Sequence, residues 1–201
     1  MSQTRQLAAI MFTDIVGYTA LMGKDEQKAF DLLNKNRAIQ KPIIEQFNGR
    51  WIKELGDGIM TSFNTVSDAV NAAIKIQEAC NAAKDFQLRI GIHLGELVFE
   101  NDDVFGDGVN IAARVQAAAK PATIYISESV HHKVSNNKEI TTKFIKEETP
   151  KNVKEPVRMY EVMITNTPDL PVETKMKTTI HNSIAVLPFA NMSSDPEQEY
   201  Q

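Results

Sequence analysis

The chain of 201 residues has one cysteine, no long apolar run and no excess of basic residues. The single cysteine, Cys80, excludes an internal disulfide and is compatible with a reducing compartment. No apolar stretch reaches the length of a membrane span, and the opening MSQTRQLAAIMF is too short and too soon followed by Asp14 for a signal peptide. We therefore expect a cytoplasmic location and no membrane partner for this region.

The charge balance argues against a nucleic-acid partner. The formal net charge is −4, whereas a nucleic-acid surface depends on clustered Lys and Arg, which the sequence does not show. An RNA-binding α+β domain would also place exposed aromatic residues on its strands. Neither feature is present in the sequence, so we expect no nucleic-acid partner.

A carboxylate follows the first apolar run of the chain. Residues 8–12 are short, apolar and bounded by polar residues, which predicts a buried strand. Asp14 comes at its end, just before Gly17 and Thr19, where free backbone N–H groups suit a cation that bridges to phosphate oxygens. Taken alone, Asp14 is more typical of a helix cap. The binding hypothesis therefore needs a second carboxylate.

Asp57 supplies that second carboxylate. It lies in the turn 56–58 between predicted strands at 50–55 and 59–63. Asp-Gly is also a common hairpin turn, so turn chemistry and metal binding explain Asp57 equally well by itself. If the hairpin pairs with the strand that ends at Asp14, the two carboxylates meet. Such a pair can hold two Mg²⁺ ions for phosphoryl transfer.

The remaining pattern predicts an α+β fold. We expect a ferredoxin-like, mostly antiparallel sheet with helices packed on one face. The predicted helices span 24–47, 65–83, 109–119 and 127–134, and the further strands span 87–97, 123–126, 141–146 and 157–163. Pro42 is expected to kink or divide the first helix.

Composition changes near residue 165. We expect a domain over residues 1–165, a polar linker with two prolines over 166–183, and the start of a truncated following domain over 184–201. The last segment opens with an apolar strand, IAVLPF, and the chain stops before anything can pack on it. We interpret the chain as a fragment of a longer protein.

Two polar residues stand out on the Ala-rich predicted helix. Asn110 and Arg114 are four residues apart, so their side chains project from one face. The Arg guanidinium matches phosphate and can stabilise charge developing on phosphorus. A solvated helix face is the alternative, and for either residue alone it is favoured. The three histidines that we considered, His93, His131 and His132, are given no ligand role.

Three ordered motifs carry a family resemblance. FTDIVGYT, KELGDG at 53–58 and DVFGDGVNIAAR at 103–114 together resemble the class III adenylate and guanylate cyclase catalytic domain. The resemblance covers about residues 5–165. It implies a class III cyclase homology domain that converts a nucleoside triphosphate to a cyclic nucleotide and pyrophosphate.

The resemblance also implies the metal and base-reading residues. Asp14 and Asp57 would bind two Mg²⁺ or Mn²⁺ ions with help from the Ile15 carbonyl. Lys53 and Asp103 would read the base. Adenine presents an amino donor beside a ring-nitrogen acceptor, which is complementary to a carboxylate and an ammonium group. We therefore favour ATP as substrate, with guanylate cyclase as the first alternative.

The remaining implied roles concern ribose and phosphates. Asn110 and Arg114 would orient the ribose and stabilise the transition state, and Lys151 would contact the triphosphate. The loop Gly17, Tyr18 and Thr19 would contribute to substrate binding.

In the family, the metal carboxylates come from one chain, and the base-reading residues come from its partner. Because this chain holds every part, the resemblance implies a homodimer with two complete sites. A catalytically silent nucleotide-binding or dimerisation module is the alternative of another class. Its signature would be loss of a metal Asp or of Arg114, and neither is lost.

Overall fold

The computed structural model describes residues 4–100, 103–148 and 156–164. Its strands are β1 Thr4–Ile15, β2 Arg50–Leu55, β3 Gly58–Phe63, β4 Leu88–Glu100, β5 Asp103–Phe105, β6 Thr123–Ser127, β7 Thr141–Glu148 and β8 Val157–Met163. Its helices are α1 Tyr18–Lys24, α2 Glu26–Gln46, α3 Val66–Ala83, α4 Asp107–Ala118 and α5 Glu128–Val134.

The described strands form one mostly antiparallel sheet. Its order is β2-β3-β1-β4-β6-β8-β7, with β5 paired to β4 outside that path. Every pairing is antiparallel except β4 with β6. The predicted α+β class with a mostly antiparallel sheet is confirmed.

The central strand β1 is buried on both faces, and this alters one detail of the prediction. Ala9 and Met11 point into a core that contains residues of α2, α3 and α5, whereas Ala8 and Ile10 point into a second core that contains Ala112 of α4. Successive strand residues face opposite sides. Helix α4 therefore lies across the sheet from α1, α2, α3 and α5, so the expectation of helices on a single face holds for those four and not for α4.

Helix α4 lies very close to β4. A Cβ on Gly91 would come 2.1 Å from the Gln116 backbone nitrogen, and a Cβ on Gly95 would come 3.4 Å from the Gly108 Cα. The four-residue step from Gly91 to Gly95 spans roughly 13 Å of strand, and the eight residues between Gln116 and Gly108 span roughly 12 Å of helix. Because the later strand residue lies at the earlier helix residue, α4 runs antiparallel to β4. At Gly91 only glycine leaves room for this approach, whereas the distance at Gly95 is that of ordinary van der Waals contact.

The helix predicted over 24–47 is present as α2, and a short helix that was not predicted precedes it. Helix α2 continues through Pro42, so it is not divided there, and Asp25 separates it from α1. Asp25 is extended, and its side chain accepts a hydrogen bond from the Lys28 N–H at 3.1 Å. This N-cap starts α2, and buried packing of Leu33 and Ile44 holds the helix around the proline.

The contacts of the chain mark a boundary after Thr165. The chain divides into one compact unit over Met1–Thr165 and a second over Asn166–Gln201. The predicted linker and following domain lie outside the described residues and stay predictions. Within the described part of the chain, the helices are too short or too polar to span a bilayer.

The close approach of α4 to β4 is testable by adding one methyl group. Gly91→Ala places a Cβ against the Gln116 backbone and should lower the free energy of unfolding by about 3 kcal/mol. Urea denaturation measures this change. Gly23→Ala is the matched control, because a Cβ there meets nothing within 4 Å and alanine favours a helix. Equal stability of the two variants would contradict the contact.

Candidate active site

The pairing of β1 with β3 brings the two predicted carboxylates together. Thr13 pairs with Ile59, so the end of β1 lies beside the turn that holds Asp57. The Ile15 N–H donates to the Asp57 Oδ2 at 3.1 Å. Gly56 adopts φ +66°, which favours glycine in this turn. The sequence expectation that Asp14 and Asp57 meet at neighbouring strand ends is therefore confirmed.

Asp57 is held in a setting that disfavours its charge. Burial raises the pKa of Asp57, and the negative charge of Asp14 raises it further. The backbone N–H of Ile15 acts in the opposite direction but does not reverse the shift. The ionised pair therefore requires a nearby positive charge.

Arg89 supplies a positive charge at this site, and sequence reasoning missed it. It lies directly across β1 and β4 from Asp14. Its Nε donates to Asp14 Oδ2 at 3.1 Å, and its Nη2 forms an ion pair with the same oxygen. The sequence signal was an arginine on the polar side of the alternating strand. The register of β1 against β4 was needed to place it.

The donor set fits a divalent cation. Asp14, Asp57 and the Ile15 carbonyl offer hard oxygen ligands, which Mg²⁺ and Mn²⁺ prefer. Across the described ranges, no three His, Cys, Asp or Glu side chains form a ready-made metal centre. Mg²⁺ commonly uses one or two carboxylates and completes its shell with waters and substrate phosphates. The site therefore suits an ion that arrives with a phosphate ligand.

The segment after β1, formed by Gly17 and the start of α1, presents two of its three predicted residues to solvent. Gly17 adopts φ +78° and is exposed, as is Thr19. The Tyr18 side chain instead points into the core that contains residues of α2, α3 and α5, and it is only 8% exposed. Its hydroxyl is buried and has no hydrogen-bond partner among the described residues.

The two predicted base-reading residues form an ion pair. Lys53 Nζ lies 2.6 and 2.8 Å from the two Asp103 carboxylate oxygens. The Val104 N–H also donates to Asp103 at 2.8 Å. Lys53, and to a smaller extent this backbone donor, lowers the pKa of Asp103. The ammonium and carboxylate groups predicted to read the base therefore lie side by side.

The ion pair and the carboxylate pair occupy opposite ends of β4. Asp103 pairs with Glu100 at the end of that strand, whereas Asp14 pairs with Arg89 near its start. The two clusters are thus separate features of one chain. Within one chain, therefore, the Lys53–Asp103 pair does not lie next to Asp14 and Asp57.

Helix α4 carries the other predicted residues. Asn110 is exposed and Arg114 is half-buried, one helical turn apart. Lys151 lies outside the described residues, and its role stays a prediction.

The histidines have structural contacts. His93 Nδ1 lies 2.9 Å from Ser127 Oγ, and burial lowers its pKa to about 4. His131 stacks on Tyr160 at 3.9 Å between ring centroids. Both rings therefore take part in contacts within the fold.

Known proteins share this fold and sequence. Residues 1–164 match the adenylate and guanylate cyclase catalytic domain. A Rhizobium meliloti protein named "Putative adenylate cyclase 3" is 36% identical over 208 aligned residues, covering 98% of this chain and 35% of that protein. An adenylate cyclase from Streptomyces coelicolor is 27% identical over 120 residues, covering 59% of this chain and 32% of that protein.

A solved structure agrees with these sequence matches. The crystal structure of an adenylate/guanylate cyclase/hydrolase from Silicibacter pomeroyi superposes with a TM-score of 0.75 at 32% identity, covering 80% of this chain and 98% of that one. The fold and motifs together define a nucleotide cyclase domain. The chain belongs to the class III adenylate and guanylate cyclase catalytic domain family. It spans about a third of the length of the curated relatives it matches.

The raised pKa of Asp57 predicts a pH-dependent effect of Asp57→Asn. Asp57 binds its proton more tightly in the folded than in the unfolded chain, so its ionised form destabilises the fold above the raised pKa. Asn removes the charge and keeps an acceptor for the Ile15 N–H. In the absence of divalent cations, the variant should unfold at a higher temperature at neutral pH.

The pH series provides the check on that result. The advantage of Asp57→Asn should shrink as pH falls towards the pKa of an unfolded aspartate, because the wild-type penalty disappears there. Thermal unfolding followed by circular dichroism at several pH values measures it. A variant that is less stable than wild type at neutral pH would contradict the charge assignment.

Proposed function

We propose that the chain is an adenylate cyclase domain that converts ATP to 3′,5′-cyclic AMP and pyrophosphate. The observation that carries the proposal is the meeting of Asp14 and Asp57 at neighbouring strand ends, beside the Ile15 backbone. Within a nucleotide cyclase family, such a carboxylate pair is suited to holding divalent cations under a triphosphate. A cytoplasmic location remains part of this proposal.

The proposed reaction is an in-line displacement at the α-phosphorus. The ribose 3′-oxygen forms a bond to phosphorus while the bond to the pyrophosphate oxygen breaks, and the proton leaves to water or to a substrate phosphate. Two Mg²⁺ or Mn²⁺ ions, held by Asp14, Asp57 and the Ile15 carbonyl, would lower the pKa of the attacking hydroxyl and neutralise phosphate charge.

The remaining residues position the substrate in this proposal. Asn110 orients the ribose, and the Arg114 guanidinium donates to the α-phosphate, where charge develops. Lys151 and the exposed residues Gly17 and Thr19 contact the triphosphate. Tyr18 lies between Gly17 and Thr19, but its side chain is buried and does not face the proposed triphosphate.

Base selection rests on Lys53 and Asp103. Their 2.6 Å ion pair sets a donor beside an acceptor, which matches the ring nitrogen and amino group of adenine. Guanine presents the opposite order, a carbonyl acceptor beside a ring N–H. Guanylate cyclase is the alternative, because the family includes both activities.

A homodimer is the proposed active species. The carboxylate pair and the Lys53–Asp103 pair occupy opposite ends of β4 in one chain. A head-to-tail copy would bring the second cluster of one chain over the first cluster of the other and form two equivalent sites. A catalytically silent module is disfavoured because the metal aspartates and Arg114 are all present.

A turnover assay with each nucleotide tests the base assignment. With Mn²⁺ and high protein concentration, the chain should form cyclic product from ATP at least about tenfold faster than from GTP, as expected for one discriminating pair of hydrogen bonds. Lys53→Met keeps an unbranched side chain of similar length but removes the ammonium donor. It should reduce the preference for ATP over GTP about tenfold. A wild-type preference for GTP would overturn the assignment.

Mixing two inactive variants tests the shared site. Asp14→Ala and Arg114→Ala should each abolish turnover while leaving the fold intact by circular dichroism. An equal mixture should regain about one quarter of wild-type activity, since half of random dimers are mixed and each has one intact site of two. A mixture of Asp14→Ala with Asp57→Ala is the control and should stay inactive. No recovery in the first mixture would contradict shared sites.

A further inference from the structure

The Tyr18 hydroxyl is a buried polar group without a hydrogen-bond partner among the described residues. The tyrosine is 8% exposed within the core that contains residues of α2, α3 and α5. A buried hydroxyl without a partner carries a desolvation cost, which phenylalanine would avoid at the same position. The ring alone therefore accounts for the packing but not for the oxygen.

Asp57 and Glu26 are the carboxylates near the hydroxyl, and Asp57 has the larger effect on its pKa. Glu26 is exposed to solvent at the start of α2. Burial raises the pKa of Tyr18, and the next largest cause is the negative charge of Asp57. Arg37 also lies near the hydroxyl but offers only donors. Its Nε and Nη2 are taken by the Glu54 carboxylate and its Nη1 by Asn34.

The chain places Tyr18 beside the proposed cation site. Asp14 and Ile15 end β1, the turn at Gly17 follows, and Tyr18 begins α1. Asp57 is tied to the same segment through the Ile15 N–H at 3.1 Å. The tyrosine therefore lies on the core side of the two carboxylates, while the exposed loop residues lie on the solvent side.

We propose that Tyr18 is a positioning residue of the cation site, whose hydroxyl donates to the Asp57 carboxylate when a divalent cation is bound. The inference rests on the proposed function, because it assumes that Asp57 is a cation ligand. Donors behind a ligating carboxylate fix its orientation, and their loss typically weakens metal binding 10- to 100-fold. The Tyr18 hydroxyl then has a hydrogen-bond partner when the divalent cation is bound.

Tyr18→Phe removes only the oxygen and separates this role from simple core packing. Without divalent cation, the variant should unfold at the same temperature as wild type or higher, because it loses an unpartnered buried hydroxyl. In a Mn²⁺ titration with 3′-deoxy-ATP, which lacks the attacking hydroxyl, half-maximal thermal stabilisation should require about tenfold more Mn²⁺ than wild type.

A matched substitution and the wild-type titration make the outcomes distinct. Tyr160→Phe removes a hydroxyl from β8, where the ring stacks on His131, and should leave the Mn²⁺ requirement unchanged. If Tyr18→Phe and wild type require the same Mn²⁺ concentration, the role of Tyr18 is overturned and the cation site stands. If wild type itself shows no stabilisation by Mn²⁺, the cation site and the proposed function fail together with the role of Tyr18.

Discussion

The structure of the site depends on keeping two like charges close together. Asp14 and Asp57 are brought to neighbouring strand ends by the pairing of β1 with β3, and burial, followed by the charge of Asp14, raises the pKa of Asp57. Such a pair is unfavourable unless cations compensate it. Arg89 contributes one positive charge from the adjacent strand. The two carboxylates therefore outnumber the one arginine paired with them at this end of the sheet, and this imbalance is the physical argument for the proposed cation site.

Much of this arrangement could be predicted from local pattern. The apolar run before Asp14, the Asp-Gly turn and the hairpin strands on both sides were each readable, and a hairpin beside a buried strand implied that the carboxylates meet. The spacing of Asn110 and Arg114 on one helix was equally local. The Lys53–Asp103 contact joins residues fifty positions apart; the family resemblance implied that both read the base but did not predict their ion pair.

Other features depended on tertiary contacts that no local pattern encodes. The ion pair of Arg89 with Asp14 requires the register of β1 against β4, across 75 residues. The break at Asp25 rather than Pro42 depends on a cap and on packing against the core. The side of the sheet that α4 covers differs from the expected single face, because an apolar helical stripe does not specify which side of a sheet it covers. The unbroken apolar run of β1 held a clue, since a strand buried on both faces needs cover on both.

The backbone contact of α4 with β4 has a mechanical consequence. Because the helix backbone lies directly against the strand at Gly91, a shift of the helix along the strand would meet a steric barrier there. We therefore expect β4 and α4 to move as one rigid unit, with the Asp14–Arg89 pair near one end of β4 and the Lys53–Asp103 pair near the other. In the proposed head-to-tail dimer, a change in the angle between two such units would alter both clefts at the same time.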